Sequence, residues 1–95
     1  MGNGFVLRWS PNFKRMFRDK DTVLREKVKK RLVFLSNNDP YRVGSRKKGL
    51  PYGINPYGIK VDKSNRIVYD ILEEKGKNVI ELLKVCDHKE VGFRE

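Results

Sequence analysis

The C-terminal third of the chain consists of three strand-length hydrophobic runs separated by short polar turns, a spacing that leaves an antiparallel meander as the natural fold. Tyr57 to Asp62 alternates, with Tyr57, Ile59 and Val61 on one side and Gly58, Lys60 and Asp62 on the other. Arg66 to Leu72 does the same, with Ile67, Tyr69 and Ile71 opposite Arg66, Val68 and Asp70. A turn near Lys63-Ser64-Asn65 joins the two. Side chains on a strand repeat every two residues, so a two-residue loop would set Ile59 against Asp70, and the apolar faces meet only across a loop of three residues or another odd number. Lys60 and Arg66 then share the face turned away from the helices. The third run, Asn78 to Cys86, carries apolar residues on both sides, as befits a strand inside a sheet, and periodicity alone does not assign its faces. If the five-residue loop Glu73–Lys77 preserves parity, Arg66 lies directly across from Lys84. Like charges opposed in this way are destabilising unless an anion sits between them.

Upstream, Phe5 to Trp9 is a short extended run that hands over to a helix at Ser10-Pro11, a cap residue followed by a proline at the first helical position. Phe13, Met16 and Phe17 give that helix one narrow apolar stripe, and Asp19-Lys20-Asp21 breaks it before a second helix starts near Thr22. Leu24, Val28, Leu32 and Leu35 line one side of the second helix, with Arg25, Lys27, Lys29, Lys30 and Arg31 around the rest. At 95 residues there is room for one core, so a single domain over 1–95 is expected. Its class is α+β: an N-terminal strand and a helical hairpin, then a three-stranded antiparallel meander forming a small twisted sheet with the helices on one face.

Lys and Arg number 22 against 12 Asp and Glu, a formal charge of +10, which marks a polyanion binder with nucleic acid as the default partner. A membrane surface or an acidic protein would satisfy the same charge. No apolar run approaches the length of about 18 residues that spans a bilayer, and the N-terminus lacks a signal-peptide pattern, so a cytoplasmic protein without membrane attachment is expected. The single cysteine, Cys86, excludes an internal disulfide and a cysteine-based zinc cluster, and it fits a buried inert thiol. One histidine, His88, and no clustered carboxylates disfavour metal chemistry, and no cofactor is expected. The stretch from Asn37 to Pro56 is too long for a featureless connector. It gathers Arg42, Arg46, Lys47 and Lys48 with Tyr41, Tyr52 and Tyr57, a pattern suited to running along a phosphate backbone and stacking on bases, or else simply a solvated loop.

Several segments together resemble the RelE/ParE superfamily of bacterial and archaeal toxins: Arg46-Lys47-Lys48-Gly49-Leu50-Pro51, Tyr57-Gly58-Ile59-Lys60-Val61, Asn65-Arg66-Ile67-Val68-Tyr69-Asp70-Ile71 and Val85-Cys86-Asp87-His88-Lys89-Glu90-Val91. The resemblance spans nearly the whole chain and implies a toxin of a type II toxin–antitoxin system. In its RelE-like branch such a toxin cleaves messenger RNA in the ribosomal A site without a metal, by attack of a 2′-OH on the scissile phosphate. Arg66 then looks like the strand arginine that binds the scissile phosphate, Lys60 like a sheet lysine that stabilises charge there with Lys84 beside it, and His88 like the tail residue acting in proton transfer. Arg42, Arg46, Lys47 and Lys48 would bind RNA. Gly58 stands where some members have a second lysine, and Glu90-Val91-Gly92 replaces a tyrosine-containing ending, though Phe93 remains available to stack on a base. The implied partners are a small acidic antitoxin, the ribosome and its message. Two other readings stand beside this one, a ParE-like inhibitor of gyrase and a non-catalytic RNA-binding module. For Arg66 the structural alternative is pairing with Asp62 across the turn, and for Lys60, Lys84 and His88 it is ordinary solvent exposure.

Overall fold

The computed structural model describes residues 4–46 and 56–87. Their order is β1 (Val6–Trp9), α1 (Pro11–Arg18), α2 (Thr22–Ser36), α3 (Pro40–Val43), β2 (Ser45–Arg46), β3 (Pro56–Lys60), β4 (Asn65–Glu74) and β5 (Lys77–Asp87). The strands form one sheet in the order β1-β5-β4-β3-β2, with β1 parallel to β5 and every other pair antiparallel. The strand at the N-terminus thus closes the free edge of the meander and makes β5 an interior strand.

The helical hairpin forms where side-chain caps permit it. The Ser10 hydroxyl accepts the Phe13 N–H at 3.1 Å, and Pro11 opens α1 where its missing N–H has no partner to lose. After the break at Asp19-Lys20, the Asp21 carboxylate accepts the Leu24 N–H at 2.8 Å and starts α2. The apolar stripes then meet the sheet. Phe13, Val28, Leu32 and Leu35 pack against Ile59, Ile67, Tyr69, Ile71, Ile80, Leu82 and Val85, all buried, while Trp9 sets its ring edge-on to Phe13 and Phe17. Each such side chain contributes about 1.5–3 kcal/mol, against about 0–1 kcal/mol for a surface ion pair, so this layer holds the fold.

The β3–β4 register pairs Ile59 with Ile67 and Lys60 with Arg66, with five residues between the last two, so the odd-loop expectation holds. Two other expectations are corrected. The β4–β5 connection is a two-residue turn at Lys75-Gly76, both at positive φ (51° and 76°), because that backbone matches the twist of the strands it joins. A bulge between Val68 and Tyr69 then shifts the register, since Val68 faces Lys84 and Tyr69 faces Leu82, leaving Leu83 as the extra residue. Arg66 consequently lies across from Cys86, not Lys84. The segment after Asn37 is also not one loop: Asp39 caps α3 by accepting the Tyr41 N–H, and β2 adds to the outer edge of β3.

Candidate phosphate-binding site on the open sheet face

One face of the sheet carries the helices; Lys60, Arg66 and Lys84 belong to the other. Lys60 and Arg66 are directly opposed across the β3–β4 hairpin, and Lys84 lies two residues before Cys86, the partner of Arg66. At the far end of the same face Arg8 is clamped by acids, with Nη1 and Nη2 on the Glu74 carboxylate at 2.7 and 2.8 Å and Nε on Glu81 at 3.1 Å. Nothing comparable attends the other pair. Among the described residues neither Lys60 nor Arg66 has an ion-pair partner. Opposed cations repel, so this end of the face is stabilised by any anion that settles between them.

The guanidinium of Arg66 is held from behind. Its Nη1 donates to the backbone oxygens of Asp62 at 3.1 Å and Asn65 at 3.2 Å, so the contact across the turn is with the Asp62 carbonyl and not its carboxylate. That carboxylate is occupied in closing the turn. Its Oδ1 accepts the N–H of Ser64 at 2.9 Å, the N–H of Asn65 at 2.8 Å and the Asn65 side-chain amide at 3.0 Å, and Lys27 of α2 stands 3.6 Å from Oδ2. These donors, the Ser64 N–H foremost, hold the Asp62 carboxyl below its ordinary range. No group of three His, Cys, Asp or Glu positioned to hold a metal is found among the described residues.

No protein-family model matches the sequence, and no curated protein does. Solved structures do. The toxin–antitoxin complex RelBE of Escherichia coli matches at 26% identity over 87% of this chain and 95% of that one, with a TM-score of 0.64. RelBE2 of Mycobacterium tuberculosis matches at 17% identity over 90% and 99%, TM-score 0.71. The chain has the fold of the RelE/ParE toxins. A YoeB/ParE toxin from Agrobacterium tumefaciens, at 16% identity over 88% and 99% with a TM-score of 0.69, extends the likeness across that superfamily.

In this RelE/ParE-type domain the remaining sequence candidates separate. Arg42, on α3, is highly exposed with Nε 3.7 Å from Asp39. Arg46 pairs with Tyr57 and so belongs to the helix-side register, away from Lys60 and Arg66. Lys47, Lys48, Tyr52, His88 and Phe93 lie outside the described residues. Tyr57 is not free to stack on a base: it stacks on Tyr69 at 5.9 Å and receives the edge of Tyr41 at 5.8 Å. Tyr69, whose hydroxyl pKa is pushed up by burial, donates to the Pro40 carbonyl at 2.7 Å and fastens α3 to the sheet.

Sequence reasoning missed the Asp62–Asn65 brace, although an Asp two residues before a Ser in a turn is itself the signal for a side chain capping backbone amides. It also missed Asn12, whose amide donates to the carbonyl of Leu83 at 3.1 Å and ties α1 to the bulge.

Proposed function

We propose that this chain is the toxin of a type II toxin–antitoxin system and cleaves translated messenger RNA on the ribosome, without a metal, by attack of a ribose 2′-OH on the adjacent phosphorus. The observation that carries the reading is the opposed pair Lys60 and Arg66, unpaired by acids on a face where Arg8 is paired by two. The reaction needs the nucleotide oriented, the growing charge on the phosphorane offset and two protons moved. Arg66 grips two phosphate oxygens, Lys60 and Lys84 supply point charge, and His88 exchanges protons with the attacking or leaving oxygen. Arg42, Arg46, Lys47 and Lys48 hold the RNA backbone, and Phe93 stacks on a base.

A protein of this charge and activity needs a neutralising partner, and an acidic antitoxin meets both demands; the E. coli and M. tuberculosis structures were solved as toxin–antitoxin complexes. The site of action is the cytoplasm, where ribosomes and messages meet. Primer-extension mapping of transcripts after induced expression tests the reading, with breaks inside translated codons expected. Intact transcripts during growth arrest, accompanied by gyrase-linked DNA breaks, would assign the chain to the ParE-like activity instead.

A further inference from the structure

An arginine offers five N–H groups along three edges, and which edge faces a ligand decides how a phosphate is gripped. Both N–H groups of Nη1 in Arg66 are directed at carbonyl oxygens, those of Asp62 and Asn65, at 3.1 and 3.2 Å. Among the described residues Nε and Nη2 meet no acceptor. The edge left complete is therefore Nε/Nη2, which takes two oxygens of one phosphate side-on.

What fixes those two carbonyls is the turn, and what fixes the turn is one carboxylate. The Asn65 carbonyl accepts the Val61 N–H at 2.9 Å, which closes the backbone loop. Oδ1 of Asp62 gathers the amides of Ser64 and Asn65 and the Asn65 side chain inside it. Lys27 braces the same carboxylate from α2. Asp62 thus never touches the Arg66 side chain with its own, yet it sets the direction of both oxygens that do. The geometry points to Asp62 as a positioning residue: by folding the β3–β4 turn around its carboxylate it aims the two carbonyls at Nη1 and presents the Nε/Nη2 edge of Arg66 to the scissile phosphate. This inference rests on the reading of Arg66 as the phosphate-binding residue.

Two measurements on the full chain test it. In the first, cleavage of ribosome-bound message is followed in a cycle of Asp62→Ala, Arg66→Ala and the double variant. Loss of alignment without loss of the group should lower the rate by about tenfold with little change in half-saturating ribosome concentration. In the Arg66→Ala background the same change should cost less than about twofold, because nothing remains to be aimed. Asp62→Asn, which keeps an oxygen for the two amides, should bring the rate back to within about threefold of the parent.

The second measurement needs no cleavage. The side-chain nitrogen signals of Arg66, identified by their loss in Arg66→Ala, should show slow rotation about Nε–Cζ in the parent and fast rotation in Asp62→Ala. An equal cost of Asp62→Ala in both backgrounds, or unchanged Arg66 signals, overturns the assignment. If Asp62→Ala loses cooperative melting, Asp62→Ser, with a shorter acceptor, carries both measurements. A parent protein that cuts no message removes the catalytic reading, while the nitrogen signals still decide whether Asp62 positions Arg66.

Discussion

Gly44 ends α3 at the point where the chain crosses Tyr69, and replacing it with alanine should be among the most damaging single-methyl additions this fold can receive. A Cβ built there falls far inside van der Waals contact distance of the Tyr69 hydroxyl oxygen, 3.0 Å from Cζ and 3.1 Å from the Gly58 carbonyl oxygen. Neither neighbour yields cheaply. Tyr69 is fully buried, stacked on Tyr57 with ring planes 16° apart and hydrogen-bonded to Pro40, and Gly58 is backbone in β3. Overpacking costs about 1–3 kcal/mol, and moving the ring severs a buried hydrogen bond worth about 1 kcal/mol or more. We expect a loss of about 3 kcal/mol from a total of about 5–14 kcal/mol for a chain of this length, a fall in melting temperature of about 12–24 °C. Tyr69→Phe alone should cost about 1–2 kcal/mol through the lost bond to Pro40. It also removes the atom that the new methyl would strike. The double variant should therefore lose only about 2–3 kcal/mol, against about 4–5 kcal/mol if the changes added, and thermal melts of the four proteins measure the difference. Strict additivity would show that the Tyr69 hydroxyl is not what requires glycine at 44.

Arg66→Ala should lower cleavage about a hundredfold, the loss of about 3 kcal/mol of barrier stabilisation, while ribosome binding, shared among many basic residues, changes only a few-fold. Arg66→Lys should recover little, because an ammonium lacks the fork; if Arg66→Ala instead abolishes cooperative melting, the arginine is structural and its catalytic role is withdrawn. The acid limb of stability should report Asp62. Because folding lowers its pKa, its contribution is fully present above the ordinary value of 3.8 and is lost as the pH falls through the lower folded value. The melting-temperature gap between the parent and Asp62→Asn should accordingly stay level near neutrality and narrow below about pH 4, and a gap that widens in acid would contradict the assignment.

Much of this architecture is legible in the chain because its signals are local. Ser10-Pro11 and Asp21 fix where helices start, and the spacing of Val28, Leu32 and Leu35 fixes which side of α2 is buried. The odd loop between β3 and β4 follows from matching Ile59 to Ile67, and with it the shared face of Lys60 and Arg66. Features set by contacts distant in sequence stayed hidden. Nothing near Phe5 to Trp9 announces that this strand pairs in parallel with residues some seventy positions later, Val6 with Val79 and Trp9 with Leu82. Nor does the tyrosine spacing in the basic segment reveal that Tyr57 stacks on Tyr69 and is half-buried there.

Lys84 shows why the site could be half read. From the Lys75-Gly76 turn, where Glu74 faces Lys77, an unbroken ladder would set Arg66 across from Val85 and Lys84 across from Ile67, on the core side. A buried lysine there would lose its hydration, and Val85 would be turned out to the open face. The extra residue Leu83 corrects both at once: beyond it Val85 enters the core and Lys84 joins Arg66 and Lys60. The bulge is held by a side chain from another element, Asn12 of α1, whose amide bonds the Leu83 carbonyl. Hence the helical hairpin does more than cover the sheet. By pinning one irregularity in β5 it determines which way a cation points on the opposite face, a dependence that strand periodicity cannot express because it is set outside the strand.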